Sequence, residues 1–298
     1  MKDKWQRIAD SENGFHHYRA ICQIVVSLLW SWIYLSPLAL HAATPVVSPI
    51  ASAADNLSVS ICDDANEWPP YTYFERVGGN KSSKVVGFSV DVLDEIFARH
   101  QIRYTITMLP WARCLLEVKK GNHYQMVLDI TAAPEREAMF WFSRPVYFTN
   151  TYYFYSRKKF PQGLSILAMA DLKAYRVCGI HGYNVNYTGF KDFFKPGEVD
   201  QGTKDYKALI AKLHAQHCDL FLEQYQAMQG YAVIGQPFLD DQNLAGEAMP
   251  GLIPSPFRFA ISRRYPAGES LLRMINEELE QMEASGRLKA LWKKRVPK

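Results

Sequence analysis

A single arginine stands at the start of an apolar and aromatic segment, and its position suggests ligand chemistry. The segment TAAPEREAMFWFSRPVYF covers residues 131–148, with Arg136 near its beginning and Ser143 seven residues later. A guanidinium offers a planar fork of donors that matches a carboxylate. Aromatic surroundings lower the local dielectric constant and strengthen such a pair. Arg136 is therefore either a solvated loop charge or the group that holds an anionic ligand.

The composition is that of an ordinary globular protein. The 298 residues correspond to one large domain or two small ones, with 48% hydrophobic and 21% charged residues. The net charge is +4, and no run of Lys or Arg forms a patch typical of nucleic-acid binding. We therefore expect no nucleic-acid partner.

The N-terminal region has the layout of an export signal. Residues 20–40, AICQIVVSLLWSWIYLSPLAL, are apolar and uncharged, and small residues follow. This pattern predicts a signal peptide over 1–42, cleaved near Ala42 or Ala43, and a flexible leader over 43–56. The alternative is an uncleaved anchor, because an apolar run of this length can span a bilayer. We expect the mature protein to be periplasmic.

Four cysteines lie beyond the predicted signal peptide, at Cys62, Cys114, Cys178 and Cys218. An even number in an exported chain indicates disulfide bonds. Four cysteines allow three pairings. No CxxC motif occurs, so we expect neither a metal site nor a cofactor.

Hydrophobic periodicity predicts a β-α-β-α-β succession, which implies an open α/β sheet. A second α/β unit begins after Phe160, and two helices broken at Gly286 close the chain. The predicted strands of the first unit are 57–62, 103–109 and 125–130, with helices over 85–100 and from Pro110 to Gly121.

The order of these pieces resembles the periplasmic solute-binding proteins of polar amino-acid ABC transporters (bacterial extracellular solute-binding protein family 3). WPPYTYF followed by VVGFSVDVLDEIF looks like that family's opening. The run from Val127 to Ser143, with arginine seven residues before serine, looks like its "TxxR…FSxPY" segment. LLRMINEELEQMEASGRLKALWKK looks like its closing helix pair. The LPWARC element and the extra cysteines depart from the family pattern, which indicates a divergent branch.

The resemblance implies a type II periplasmic-binding-protein fold, in which two open α/β sheets form two lobes joined by two crossover strands. Lobe one would be 57–155 plus 253–298, and lobe two would be 156–252. The crossovers would be the YYFYSRK and FRFAISR strands. Ligand would bind in the cleft, and the lobes would close on it by a hinge.

The resemblance also implies roles for residues of lobe one. Arg136 would grip the ligand's α-carboxylate, and Thr131 would add a hydroxyl and a backbone N–H. Asp129 would meet a ligand amine, or would only cap the end of its strand. Trp68 or Tyr71 would stack a ring on the ligand, or would be a buried aromatic of the lobe.

In lobe two, the HGYN turn would point Tyr183 and Asn184 at the ligand. Gln224 stands where the family has the carboxylate that binds the α-amine, with Glu223 beside it. If Glu223 binds the α-amine in place of that carboxylate, an amino acid still fits the cleft. If it does not, the ligand lacks an α-amine. Arg113 would be a second cation for the ligand, or a surface arginine of its helix.

The lobes implied by the resemblance also favour one disulfide pairing. Cys62 with Cys114, and Cys178 with Cys218, would keep each bond inside a lobe and leave the hinge free. A bond between lobes would lock the clamp. The alternative is that these cysteines are free buried thiols.

We therefore expect a monomeric, non-enzymatic protein that captures a small polar solute, an amino acid or related carboxylate, for a membrane ABC permease. One alternative is a dehydratase-like enzyme on the same fold. Glu223, His181 and Asp129 would be its acid and base, but no catalytic spacing links them, and no GxSxG, HExxH or phosphate loop occurs. Another alternative is a sensor protein that presents its ligand to a receptor.

Overall fold

The computed structural model describes residues 57–184 and 193–295, which belong to one compact unit. The predicted signal peptide (1–42) and leader (43–56) lie outside the described residues. The strands are β1 (Ser58–Asp64), β2 (Tyr73–Val77), β3 (Asn80–Val86), β4 (Arg103–Leu109), β5 (Met126–Ile130), β6 (Phe140–Phe142), β7 (Tyr147–Thr149), β8 (Thr151–Ser156), β9 (Val177–Ile180), β10 (Val199–Thr203), β11 (Leu220–Gln224), β12 (Leu244–Ala248) and β13 (Ser255–Ser262). The α-helices are α1 (Phe88–Arg99), α2 (Trp111–Lys120), α3 (Pro134–Glu137), α4 (Tyr206–His214), α5 (Tyr225–Gly230), α6 (Gly268–Ala284) and α7 (Arg287–Arg295).

Two sheets confirm the type II architecture. The first has the order β4-β1-β5-β13-β6, with β7 also paired to β13, and the second has the order β10-β9-β11-β8-β12. A separate hairpin joins β2 and β3. In the first sheet β1 is parallel to both β4 and β5. The carboxyl ends of β1 and β5 therefore lie at one edge, where ligands of open α/β sheets bind.

The helices of the first sheet follow from local sequence signals. Helix α1 buries an apolar face that includes Val90, Leu93 and Ile96, as its periodicity predicts. Helix α2 begins after Pro110 and ends at Gly121, which has the left-handed φ of 74° that favours glycine at a helix end. No helix of the described ranges combines the length and the apolar character that a membrane span requires.

The boundary between the lobes differs from the expected one. All of β8 pairs with β11 and β12 in the second sheet, from Thr151 opposite Gln224 onward. The predicted boundary after residue 155 falls inside this strand. The prediction missed the break between β7 and β8 because one aromatic run spans both strands. The structure places the chain's change of sheet at Asn150, between these two strands. By strand pairing, lobe one consists of 57–149 plus 255–295, and lobe two of 151–184 plus 193–248.

The second crossing also lies outside a strand. Strand β13 pairs entirely within the first sheet, with β5, β6 and β7. The chain therefore returns from lobe two between the end of β12 at Ala248 and the start of β13 at Ser255. The FRFAISR segment is a strand of lobe one and not itself a crossover.

Each lobe contains one disulfide bond. Cys62 of β1 is bonded to Cys114 of α2, with a Cα–Cα distance of 5.7 Å. Cys178 of β9 is bonded to Cys218, just before β11, with a Cα–Cα distance of 5.9 Å. This is the pairing that the family resemblance implies, and both bonds leave the two crossings between lobes unconstrained.

Candidate functional site

The two lobes meet at a cavity of about 80 Å³. A buried water needs roughly 10–15 Å³ by the same measure, so the space corresponds to about five to eight water-sized groups. Lobe one contributes polar and aromatic side chains from the ends of β1 and β5, from the loop after β1, and from α2 and α3: Asp63, Asp64, Trp68, Trp111, Asp129 and Arg136. Lobe two contributes Tyr183, Asn184, Glu223 and Gln224. The site has the size of a small solute.

Arg136 lies in the short helix α3 and is only 5% exposed. Its Nη1 donates to the Thr131 carbonyl at 3.0 Å and to the Thr131 hydroxyl at 3.2 Å. Its Nη2 donates to the carbonyl of Gly182, in lobe two, at 3.4 Å. Burial lowers the pKa of Arg136 to about 10, so the guanidinium stays charged at neutral pH. The cation therefore stands at the junction of the lobes.

Helix α2 contributes a tryptophan to this junction and not the predicted arginine. The Trp111 ring lies 5.9 Å from the guanidinium carbon of Arg136 and contacts Tyr183 edge-on, with ring centroids 6.5 Å apart. Arg113 is exposed and does not line the cavity. Two residues along a helix turn the side chain by about 200°, so Trp111 and Arg113 face opposite ways. The sequence signal for Trp111 was its place at the start of a helix that follows a strand end.

Asp129 is held by hydroxyl groups at the end of β5. Its carboxylate accepts hydrogen bonds from Ser89 at 2.5 Å, from Thr72 at 2.5 Å and from Tyr147 at 3.0 Å. Its backbone has φ 48°, an unusual conformation for a residue other than glycine. Burial raises the pKa of Asp129 to about 6, although the hydroxyl donors oppose the shift.

Two further carboxyl groups, which sequence reasoning did not select, line the cavity from the end of β1. Asp63 is 1% exposed, and burial followed by the nearby charge of Asp129 raises its pKa well above the ordinary range. Burial raises the pKa of Asp64 to about 6. The Tyr183 hydroxyl of lobe two donates to Asp64 at 2.5 Å, which ties the two lobes together. The available signal was a pair of acids at the carboxyl end of a central strand.

The two candidate stacking aromatics have different positions. Trp68 lines the cavity, donates from Nε1 to the Tyr147 hydroxyl at 3.1 Å, and stacks on Phe257 with ring centroids 5.7 Å apart. Tyr71 is fully buried, does not line the cavity, and stacks on Tyr147 at 3.9 Å. Tyr71 is therefore an aromatic residue of the lobe-one core.

The HGYN turn of lobe two reaches lobe one directly. The Asn184 side-chain amide donates to the Thr131 hydroxyl at 3.3 Å, next to the bond between that hydroxyl and Arg136. His181, at the start of the turn, is exposed and does not line the cavity. Tyr183 and Asn184 thus reach the cavity, whereas His181 lies outside it.

Glu223 and Gln224 end β11 with different partners. Glu223 accepts from the Tyr206 hydroxyl at 2.7 Å and from the Gln224 backbone N–H at 2.8 Å, and burial raises its pKa to about 7. The Gln224 side chain accepts from the Thr149 hydroxyl at 2.6 Å. Gln224 is therefore bonded to the segment where the chain crosses between lobes, while Glu223 remains an acid of the cleft.

Acidic side chains predominate among the titratable groups of the cleft. The described lining residues include the carboxyl groups of Asp63, Asp64, Asp129 and Glu223. Arg136 is the only basic side chain among them. Within the described ranges, no group of three or more His, Cys, Asp or Glu is arranged to hold a metal ion. The arrangement suits a small ligand that carries positive charge and also has an anionic group for Arg136.

The fold and the cleft define a two-lobed, type II solute-binding protein. Residues 61–297 match the model of the bacterial extracellular solute-binding proteins, family 3. Since the match covers most of the chain, the protein belongs to this family. A comparison with curated protein sequences gives no match.

Solved structures with the same fold share little sequence with this chain. The arginine-, lysine-, histidine-binding protein ArtJ from Geobacillus stearothermophilus has TM-score 0.60 and 17% identity, covering 81% of this chain and 97% of its own. A putative ABC-transporter binding component from Wolinella succinogenes, complexed with lysine, has TM-score 0.61 and 17% identity, covering 81% and 96%. An ancestral amino acid-binding protein, a precursor of cyclohexadienyl dehydratase, has TM-score 0.59 and 17% identity, covering 80% and 96%. At this identity these likenesses show the fold.

Proposed function

We propose that this protein captures a small amino acid or related carboxylate in the cleft between its lobes, in the periplasm, and delivers it to a membrane ABC permease. The signal-peptide layout over 1–42 supports export. Membership of an extracellular solute-binding family supports a role in capture and not in chemistry. The protein acts as a monomer whose lobes close around its ligand.

The observation that carries the proposal is the buried guanidinium of Arg136. Its hydrogen-bond partners among the described residues are the carbonyl and hydroxyl of Thr131 and the carbonyl of Gly182, and none is a carboxylate. A buried charge is stabilised strongly by an opposite charge in a site that excludes water. A ligand carboxylate matches the planar donor fork of arginine. Arg136 therefore holds the anionic end of the solute.

Glu223 of lobe two supplies a partner for the solute's α-amine. Its carboxyl is buried and lines the cavity, and it is bonded to a tyrosine hydroxyl and a backbone N–H but to no cation in the described chain. An ammonium group would favour the ionised form and offset the cost of burial. Fold relatives described as binding arginine, lysine or histidine are consistent with this choice.

A thermal-shift screen of the oxidised protein tests the proposal. The panel contains amino acids, small dicarboxylic acids, amines and short peptides. A ligand present at about 100 times its dissociation constant adds roughly 2.7 kcal/mol to the free energy of unfolding, a shift of several degrees. We expect carboxylated solutes to stabilise the protein, and the Arg136→Ala variant to lose that stabilisation.

The matched control is Arg113→Ala, which removes an exposed arginine from a helix whose first residue lines the cleft. This variant should respond to the same solutes as the wild type. If Arg136→Ala keeps the full response, Arg136 is a structural residue and the proposed carboxylate site is wrong. If no carboxylated solute shifts the melting temperature, the capture of amino acids or related carboxylates is wrong.

A second candidate function is suggested by the raised pKa of Glu223, about 7, because a general acid or base works best near the ambient pH. A dehydratase-like enzyme would use this carboxyl to move a proton as a small hydroxy acid loses water. The test is incubation of the protein with hydroxy acids that stabilise it, followed by detection of the dehydrated product. Product formation that Glu223→Gln abolishes would favour the enzyme over the binding protein.

A further inference from the structure

The loop of residues 65–70, which follows β1 and is called the contact loop below, touches lobe two through its backbone. The Tyr231 hydroxyl of lobe two donates to the Glu67 carbonyl at 2.6 Å and lies 3.1 Å from the Asn66 carbonyl. The Asn66 side-chain amide donates to a backbone carbonyl of lobe two at 2.6 Å. Trp68, the next residue of the loop, lines the cavity. The position of the contact loop therefore affects both the cavity and the contact between the lobes.

The side chain of Glu67 joins the contact loop to the hairpin of β2 and β3. Its carboxylate accepts two hydrogen bonds from the Arg76 guanidinium, both at 2.9 Å, and one from the Phe74 backbone N–H at 2.8 Å. Lys81 adds an ion pair at 3.3 Å. Burial tends to raise the pKa of Glu67, but these donors and the charge of Lys81 hold it below its ordinary value. A two-pronged arginine–carboxylate pair fixes orientation as well as distance.

The backbone of Glu67 adopts a conformation that is unusual for a residue other than glycine. Its φ is 65°, in the left-handed region. Such a conformation persists where the surrounding contacts over-determine it, and it is frequent at functional sites. Neither Glu67 nor Arg76 lines the cavity. Arg76 forms its hydrogen bonds in the described chain with Glu67 and Phe74, so it reaches the cleft through the contact loop.

We propose that Glu67 and Arg76 are positioning residues that brace the contact loop, so that lobe two closes on a loop already in place. Glu67 is bonded to the hairpin by its side chain and to Tyr231 by its carbonyl, so a change at Arg76 is transmitted to lobe two. A loop held in its contact conformation loses less conformational entropy when the lobes meet. The effect on closure is independent of the solute, whereas the effect on solute affinity rests on the proposed function.

Hydrogen exchange of the unliganded protein tests the brace without a solute. Arg76→Gln removes the guanidinium fork from Glu67. We expect amides of the contact loop and of the facing lobe-two segment 225–234 to exchange about threefold faster or more than in the wild type. A purely local role of Arg76 would speed exchange in the loop and the hairpin and leave 225–234 unchanged, which would refute the brace.

Isothermal titration with lysine, arginine, histidine and glutamine measures the effect on capture. Arg76→Gln and Glu67→Gln should each weaken the binding of those amino acids that the wild type binds by about fivefold or more. The double variant leaves neither charge of the pair without its partner. It should bind about as weakly as Arg76→Gln alone, because both substitutions break the same brace. A lower melting temperature with wild-type affinity in all three variants would mean that the pair only stabilises lobe one.

A second pair of substitutions tests the route from the hairpin to lobe two. Tyr231→Phe removes the hydroxyl that contacts the loop and keeps the ring that packs against Tyr206 and Phe238. In this background Arg76→Gln should change the exchange of 225–234 by less than it does in the wild type, because both act through the same contact. Fully additive effects would show that Arg76 does not act through Glu67 and Tyr231.

The matched control is Arg287→Gln, which breaks another arginine–carboxylate pair of lobe one, with Glu95 on the outer helices. This variant should keep the exchange of the contact loop and of 225–234, and the affinities of the wild type. If the wild type binds none of the four amino acids, the proposed function is contradicted, and the exchange experiment still decides on the brace. If it binds them and Arg76→Gln binds them equally tightly, the brace is refuted and the proposed function stands.

Discussion

At the scale of single residues, the buried carboxyl of Glu223 makes a prediction about pH. Burial raises its pKa from 4.5 to about 7 in the folded protein. Between these values the folded state binds more protons than the unfolded state, so stability falls as pH rises through this range. The shift corresponds to at most about 3 kcal/mol. Glu223→Gln should remove this loss and be relatively more stable at pH 8 than at pH 4.

Thermal melting of Glu223→Gln and the wild type at pH 4 and pH 8 checks this sign. The difference in melting temperature between variant and wild type should increase by several degrees at the higher pH. Asp64 and Asp129 have pKa values raised in the same direction, so the stability of the variant should still fall with pH, but less steeply than that of the wild type. An equal difference at both pH values would mean that Glu223 is ionised in the fold.

The residues of the cleft were predictable to different degrees from sequence. Arg136 could be predicted because a cation at the start of an apolar segment is conspicuous and because the family segment fixes its position. Asp63 and Asp64 were not selected, since two acids after a strand are equally typical of a solvated strand end. Arg113 was predicted as a second cation because its charge suggests a ligand contact, but its helix turns this side chain away from the cavity that Trp111 lines.

At the scale of elements, the disulfide between β1 and α2 makes a prediction about stability. The bond joins Cys62 to Cys114 across 52 residues of sequence, and both cysteines are fully buried. In the chain-entropy model a closed loop of this length stabilises the fold by about 4 kcal/mol. Replacing both cysteines by alanine should therefore lower the free energy of unfolding by a few kcal/mol.

Denaturant unfolding of the double variant, with and without reductant, measures this contribution. Reductant should lower the stability of the wild type, because it breaks both disulfide bonds. In the variant it should remove only the contribution of the bond between Cys178 and Cys218. A variant with unchanged stability would show that the bond between Cys62 and Cys114 does not constrain the unfolded chain.

The elements themselves were predicted best where the sequence pattern is strong. The strand over 103–109 has the predicted bounds, because its sequence is rich in strand-forming residues. The hairpin of β2 and β3 was missed, since its strands carry Glu75, Arg76, Lys81 and Lys84, and they gain their pairing from the turn at Gly78-Gly79. A two-stranded ribbon with mostly polar faces leaves little periodic signal.

At the scale of the whole molecule, the division into lobes came from the family resemblance and not from periodicity. Local patterns do not report which sheet a strand joins, and the uninterrupted aromatic sequence across Asn150 reads as one strand. Pairing with distant strands decides which lobe β8 belongs to, because β8 joins β11 and β12 in the second sheet. The contacts between the lobes, which hold the cleft together here, are equally nonlocal.

At the contact between the lobes stands a glycine, Gly230, which has no side chain to keep the lobes apart. A Cβ at Gly230 of lobe two would lie 2.2 Å from the Pro69 carbonyl oxygen and 2.6 Å from Pro70 Cδ of lobe one. Gly230→Ala should therefore prevent full closure and weaken ligand binding by about tenfold or more, with little change in melting temperature without ligand. Titration and small-angle scattering with saturating ligand measure the two effects, and the scattering should report a larger radius of gyration than for the wild type.

Gly202→Ala is the matched control. Gly202 lies on an exposed edge of lobe two, where the nearest atom belongs to the flexible Asp200 side chain, so this variant should bind and close normally. Wild-type affinity in Gly230→Ala would show that ligand capture does not require this contact between the lobes.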